Sequence, residues 1–171
     1  MIPPDTKDWT WVLRAPCPEC GLESAAIDPA EVPDLVRGYA RRWAEVLTRP
    51  DVAVRPAEDV WSPLEYACHV RDVCRVMGAR AELVLAEDRP TFANWDQDAT
   101  AVAERYGEQD PVDVSRELAA AADEVAAVFG SVAGGQWQRP GLRSNGSAFT
   151  VQTLAQYFVH DVVHHLHDVE G

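Results

Sequence analysis

Two short segments of the chain carry the same signal for the start of a helix, and they limit the possible folds more than any other feature. Residues 28–31 read Asp-Pro-Ala-Glu and residues 62–65 read Ser-Pro-Leu-Glu. Each segment offers a capping side chain, a proline suited to the first helical position, and an acid that completes a capping box. Apolar residues at helical spacing follow each segment, as far as Pro50 in the first case and about Glu87 in the second. The two segments therefore predict two amphipathic helices.

Two further helices are predicted in the C-terminal half of the chain. The first covers about residues 111–132, where apolar residues recur at bundle spacing within an alanine-rich stretch that favours a helix. The second follows a turn signal at residues 144–147, has Thr150 as a capping residue, and continues to the end of the chain.

Four helices in a chain of 171 residues predict one all-α domain, a four-helix bundle. The bundle is expected at residues 28–171, preceded by an irregular N-terminal arm at residues 1–27. The connection at residues 88–110 is long, and loops of that length usually have a function or some structure of their own.

The charge of the chain excludes some partners. It contains 28 Asp and Glu against 15 Lys and Arg, a formal net charge of -13, and has no basic run. Nucleic acid and anionic membranes are bound through basic residues, so we expect neither as a partner. Signal-peptide and membrane-span patterns are also lacking, so we expect a cytoplasmic protein that acts on small molecules or proteins. Its oligomeric state stays open, with a homodimer as one alternative.

The last predicted helix contains four of the five histidines. His160 and His164 are four residues apart, so they share a helix face and can turn a ring nitrogen toward one point. His69 lies among apolar residues of the second predicted helix, and a buried histidine needs hydrogen bonds or a metal. A catalytic metal usually takes three protein ligands. We therefore predict a metal site of His69, His160 and His164; the alternative is surface histidines on a solvated helix end.

Two motifs resemble those of a known family. Residues 61–69 place a tryptophan and a capped helix start before His69, and residues 160–165 contain a His-x-x-x-His pair. Both motifs resemble the DinB-like bundles, which include the metal-binding domains of mycothiol-dependent maleylpyruvate isomerases and related thiol S-transferases. The resemblance implies a four-helix bundle whose divalent metal, commonly zinc or nickel, is bound by His69, His160 and His164. One departure is Asp168, which stands where many relatives have a glutamine.

The resemblance also implies a class of reaction. A metal with an open position can lower the pKa of bound water from 15.7 to about 7, or deprotonate a thiol. Because the thiolate is the reactive form, we expect a metal-dependent thiol S-transferase or isomerase that uses a low-molecular-weight thiol, such as mycothiol, on a small electrophile. One alternative is a non-catalytic metal-binding bundle with a structural or interaction role. Another is metal-dependent hydrolysis, which requires a carboxylate as base.

Acidic residues near His69 are candidates for orienting its ring. Glu65 and Asp72 both have the helical spacing for this role. The alternatives are that Glu65 only completes the capping box and that Asp72 is solvated.

Other polar residues of the last helix are expected to lie off the predicted site. Asp161 directly follows a ligand and is expected to point away. His165 and His167 cannot both share the face of the predicted pair, because successive helical residues point about 100° apart. Exposure is favoured for these two histidines over a role in lining the pocket.

Cys17 and Cys20 have the spacing of one knuckle of a zinc ribbon. A structural zinc site needs four ligands, and the other two cysteines lie about 240° apart on a predicted helix, so they cannot jointly complete it. Three interpretations stay open: zinc bound together with histidines such as His165 or His167, a redox dithiol, or a tight turn. A disulfide framework is not expected in a cytosolic chain.

Overall fold

The structure, a computed structural model, describes residues 2, 4 and 7–171. Within these residues, four long helices form the predicted bundle, and a short fifth helix and three short strands lie outside it. The helices are α1 (Val32–Val46), α2 (Pro63–Ala86), α3 (Gln97–Ala103), α4 (Pro111–Gly130) and α5 (Val151–Asp168). The strands are β1 (Thr91–Phe92), β2 (Pro140–Arg143) and β3 (Ala148–Thr150).

The bundle is held together by an apolar core between α1, α2, α4 and α5. Helix α4 packs against α1 and α2, and α5 packs against the same two helices, so the order around the bundle is α1, α4, α2, α5. Trp43, Phe129 and Phe158 are among the largest side chains of the core, and each is buried almost completely. Burial of each such side chain contributes about 1.5–3 kcal/mol, which outweighs the weak preference of any short segment for helix.

The helix starts follow from local capping. The Ser62 hydroxyl accepts a hydrogen bond from the Glu65 amide, and the Glu65 carboxylate accepts one from the Ser62 amide, which is the predicted capping box. Thr150 caps α5, as predicted. Asp28 instead caps a 3-10 turn at Pro29–Glu31 that leads into α1, so the first α-helix begins slightly later than its signal.

The connection between α2 and α4 does contain structure of its own, namely β1, α3 and a 3-10 turn at Tyr106–Glu108. Strand β2 pairs in parallel with β1 and antiparallel with β3, and the predicted turn at residues 144–147 joins β2 to β3. This small sheet was not predicted, because strands this short show no readable period.

The arm that precedes the bundle packs against α5 through two 3-10 helices, Trp9–Leu13 and Ser24–Ala26. Residues 1, 3, 5 and 6 of the predicted arm lie outside the described residues. Among residues 2, 4 and 7–171, no helix combines the length and the apolar character that crossing a bilayer requires.

Candidate metal centres

His69 lies on α2 with no exposed surface, between the rings of Trp61 and Trp95. The Trp95 ring is nearly parallel to the imidazole, at 9°, with the ring centroids 5.4 Å apart. Neither ring nitrogen of His69 has a hydrogen-bond partner among the described residues. Leaving a buried polar group unpaired costs about 1–3 kcal/mol, so this ring lacks the partners that a purely structural histidine would have.

Two side chains of α5, one helical turn apart, approach Nε2 of His69. The Oδ1 atom of Asp161 lies 3.3 Å from His69 Nε2 and 3.7 Å from His165 Nε2. Donor atoms bound to one tetrahedral metal at about 2.0–2.1 Å lie about 3.3 Å from each other. Each of the three side chains has a donor atom within 4.8 Å of the other two. We refer to His69, Asp161 and His165 as the His69 cluster.

The His69 cluster fits a divalent metal ion. His69 Nε2 and Asp161 Oδ1 are within ion-pair distance but are not aligned for a hydrogen bond, and both atoms are buried without a hydrogen-bond partner in the described part of the chain. His165 Nδ1 pairs with Asp168 Oδ2 at 2.9 Å, and when Nδ1 holds the proton, Nε2, which faces Asp161, is the nitrogen that can bind a metal. Two imidazoles and a carboxylate are a donor set that suits zinc and nickel.

The charge states in the His69 cluster also suit metal binding. Burial lowers the pKa of His69, which favours the neutral ring. Burial by itself would raise the pKa of Asp161, but the neighbouring His69 and His165 outweigh it and the pKa falls to about 2. At pH 7 the carboxylate is therefore ionised and the imidazole neutral, which are the forms that bind a metal.

A second cluster lies where the N-terminal arm meets α5. Cys17, Cys20, His160 and His164 each have a donor atom within 4.8 Å of the donors of the other three. The Sγ atom of Cys17 lies 3.6 Å from Nδ1 of His164. His160 and His164 are both buried, and burial, with His164 close by, lowers the pKa of His160 to about 4. We refer to these four residues as the arm cluster.

The predicted triad is divided between the two clusters. His69 lies with Asp161 and His165, whereas His160 and His164 face the cysteines of the arm. The reason is helix geometry: the two pairs on α5 are offset by one residue, so they point about 100° apart and meet different partners. Metal binding by His69, His160 and His164 stays a prediction, but the three histidines now belong to two separate candidate sites.

The expectations for the neighbouring residues of α5 need correction. Asp161 does not point away from the site but lies against His69. His165 is not exposed, because only 17% of its side chain is accessible, whereas His167 is exposed as expected. A signal for this arrangement was present in the sequence: Asp161 and His165 have the same four-residue spacing as the two histidines beside them, and a carboxylate is a metal ligand too.

The two carboxylates proposed to orient His69 have other partners. Glu65 completes the helix cap and pairs with Arg55. Asp72 accepts a hydrogen bond from the Tyr106 hydroxyl at 2.6 Å. Among the residues that the structure describes, neither carboxylate hydrogen-bonds to the His69 ring. The alternative for Glu65 is confirmed, and the one for Asp72 is wrong, since Asp72 is buried and paired rather than solvated.

A cavity of about 340 Å³ lies beside both clusters. Its walls combine aromatic rings with carboxylates, and no lysine or arginine of the described residues lines it. The connection between α2 and α4 contributes to the wall, as expected for a loop of that length. The lining residues are Ile2, Trp9, Glu19, Asp59, Trp61, Tyr66, Gln97, Asp98, Tyr157, His160, Asp161, His164, His165 and Asp168.

Fold and site together define a four-helix bundle whose last helix presents candidate metal ligands beside a cavity. The chain belongs to the DinB superfamily, whose family model matches residues 34–169. Its fold is similar to that of YfiT from Bacillus subtilis, described as a probable metal-dependent hydrolase with an unusual four-helix bundle topology. The two chains are 18% identical and superpose with a TM-score of 0.70, over 92% of this chain and 88% of that one. No curated protein matches the chain significantly.

Proposed function

We propose that the protein is a metal-dependent thiol S-transferase or isomerase, in which His69, Asp161 and His165 hold a divalent metal beside the cavity. The observation that carries the proposal is the convergence of His69 Nε2 and Asp161 Oδ1, two buried atoms without hydrogen-bond partners in the described chain. They lie beside a cavity that is large enough for a small substrate and is lined by Asp161 and His165.

The metal would supply Lewis acidity, which lowers the pKa of a thiol or of water. The residues of the chain supply position and shielding. Asp168 pairs with Nδ1 of His165 and so directs Nε2 toward Asp161. Trp61 and Trp95 cover the two sides of His69 and keep water from its ring. Three protein ligands beside a cavity leave room for a substrate, which favours catalysis over a purely structural role.

The lining of the cavity favours a neutral, hydroxyl-rich substrate. Glu19, Asp59, Asp98 and Asp168 contribute carboxylates to the lining, and no lysine or arginine of the described residues lines the cavity, although Lys7 pairs with Glu19 from outside the lining. A substrate with several negative charges would therefore be repelled. Carboxylates accept hydrogen bonds from hydroxyl groups, and aromatic walls pack against the apolar faces of a sugar. Mycothiol, whose cysteine is linked to a sugar and an inositol without a free carboxylate, has this chemistry. A cytoplasmic location belongs to the proposal, because thiols are kept reduced there.

A second candidate is hydrolysis. Hydrolysis requires a carboxylate as base, and the candidates for it are Asp168 and Glu19, which line the same cavity. The fold is also shared with YfiT, whose description is that of a probable hydrolase. The two candidates differ in the nucleophile, so they are separated by assays with and without added thiol.

The test is a comparison of metal-free and metal-loaded protein in two assays. One measures conjugation of mycothiol to a small fluorogenic electrophile, and the other measures hydrolysis of an activated ester. We expect thiol conjugation that depends on zinc or nickel. The Asp161→Asn variant should lose more than about 100-fold of this activity, since even the loss of an outer-shell partner costs about 10–100-fold.

The matched control is Asp113→Asn, which neutralises an exposed carboxylate of α4 that pairs with a surface arginine, Arg116. It should retain the activity of the wild type. Activity that persists in the presence of a chelator, or equally in both variants, would refute metal-dependent catalysis at this cluster. Metal-dependent ester hydrolysis without thiol conjugation would support the second candidate instead.

A further inference from the structure

We infer that the arm cluster is a second metal site, a closed Cys2His2 zinc site that fastens the N-terminal arm to α5. This site is distinct from the His69 cluster, shares no ligand with it, and does not depend on the proposed function. Cysteine and histidine in equal numbers are a common ligand set of structural zinc.

The four donors lie close enough together to bind one ion. All four lie within 4.8 Å of one another. Zinc at about 2.3 Å from sulfur and 2.0–2.1 Å from nitrogen places the two donors about 3.6 Å apart. The distance from Cys17 Sγ to His164 Nδ1 is 3.6 Å.

The surroundings of the two histidines resemble those of histidines that bind zinc. Nδ1 of His164 faces Cys17, and its other ring nitrogen, Nε2, lies 3.4 Å from a carboxylate oxygen of Glu19. Ligating histidines usually direct the second nitrogen to a carboxylate in this way. His160 is 4% exposed, and its Nε2 is buried without a hydrogen-bond partner among the described residues. A metal would satisfy a nitrogen that the protein leaves unpaired.

The backbone of the arm is shaped to present both sulfur atoms on one side. The Cys17 amide donates to the Leu22 carbonyl, and the Gly21 amide donates to the Cys17 carbonyl, which closes a tight turn around Cys20. Gly21 has a φ of +75°, a conformation that a residue with a Cβ adopts at a cost. This turn is the knuckle predicted from the Cys-x-x-Cys spacing, and α5 supplies the two ligands that the sequence left open.

Four protein ligands close the coordination sphere, so the role of this ion is structural rather than catalytic. The arm also packs on α5 through its two 3-10 helices, and the ring of Trp9 lies against both histidine rings. Glu19 and Trp9 belong to the arm and line the cavity beside the His69 cluster. Zinc at the arm cluster would therefore fix one wall of that cavity.

The experiment uses the full-length protein loaded with cobalt, which replaces zinc and reports its ligands by absorption. Tetrahedral cobalt bound by thiolates gives a sulfur-to-metal charge-transfer band in the near ultraviolet. Only the arm cluster contains cysteines, so this band separates it from cobalt at the His69 cluster. We expect the band in the wild type and a clear loss of its intensity in Cys20→Ser.

The matched control is Cys74→Ser, a buried cysteine of α2 outside both clusters, which should keep the full band. A second measurement on the wild type covers the case in which Cys20→Ser does not fold. Zinc should protect two cysteines of the native protein from alkylation, and a chelator should release that protection.

The inference is overturned if cobalt-loaded protein shows no thiolate band, if Cys20→Ser keeps it, or if anaerobically purified protein contains a Cys17–Cys20 disulfide in place of zinc. None of these results would affect metal binding at the His69 cluster.

Discussion

At the scale of single residues, Asp168 links the two clusters of α5. One of its carboxylate oxygens lies 2.9 Å from Nδ1 of His165, and the other lies 3.9 Å from Nε2 of His164. Burial would raise the pKa of Asp168, but the hydrogen bond and charge of His165 outweigh it and lower the pKa, so the carboxylate is ionised at neutral pH. The residue at this position departs from the glutamine of many relatives, and here its carboxylate lies near two histidines that we propose as metal ligands.

Replacement of Asp168 by asparagine should therefore weaken metal binding at the His69 cluster. The amide can still accept a hydrogen bond from His165, but it no longer stabilises the ring by charge, so we expect an affinity about tenfold lower, at the mild end of the 10–100-fold range for such partners. The measurement is competition with a chelator in the Cys20→Ser background, where the arm cluster lacks one thiolate. Asp113→Asn in the same background is the control, and an affinity equal to that control would contradict the orienting role of Asp168.

At the scale of helices, the residues at which helices begin could be predicted from the sequence. Which side chains of one helix face its neighbour could not. Caps such as Ser62 and Thr150 act through bonds to residues three positions away, so the sequence contains the whole interaction. Which pair on α5 meets His69 depends instead on how α5 is rotated against α2 and on where the arm lies. A rotation of one residue exchanges His160 and His164 for Asp161 and His165, and the spacing is the same for both pairs. Only packing decides between them.

The cap of α2 provides a test at this scale. Ser62→Ala removes the hydroxyl that accepts from the Glu65 amide and leaves that buried amide unpaired. We expect the free energy of unfolding to fall by about 1 kcal/mol, as measured by urea denaturation followed by circular dichroism. Ser115→Ala, in the second turn of α4, is the control and should not destabilise, since alanine favours a helix interior. Equal effects of the two substitutions would show that the capping box contributes nothing.

At the scale of the whole molecule, an excess of acidic residues makes pairing of buried carboxylates important. The chain has 28 acidic and 15 basic side chains, so 13 carboxylates, nearly half, have no cation to neutralise them and are favoured at the surface. Asp72 is an exception on the buried side of α2. It contacts the guanidinium of Arg71 at 2.9 Å and the hydroxyl of Tyr106 at 2.6 Å. These bonds join the long connection that contains Tyr106 to α2, the helix that presents His69.

The stability of the protein should therefore depend on pH through Asp72. Burial by itself would raise the pKa of Asp72, but the hydrogen bonds from Arg71 and Tyr106 outweigh it, and the pKa in the folded protein is lowered. A carboxyl with a lower pKa when folded binds fewer protons than it does in the unfolded chain. Its contribution to the free energy of unfolding is present in full above the pKa of the unfolded chain, about 4. That contribution is lost as the pH falls through the lower pKa of the folded protein.

The test compares the free energy of unfolding of Asp72→Asn and of the wild type at several pH values between 7 and 3. A chelator is present so that metal binding does not contribute. At pH 7 the variant should be about 2 kcal/mol less stable than the wild type, because the buried guanidinium of Arg71 loses one carboxylate partner and keeps the other, Glu117. The difference should shrink below pH 4, where the wild-type carboxylate becomes protonated. Asp113→Asn, at the surface, should match the wild type throughout. A deficit of Asp72→Asn that stays constant from pH 7 to pH 3 would mean that the shape of the side chain, and not its charge, holds the connection to the bundle.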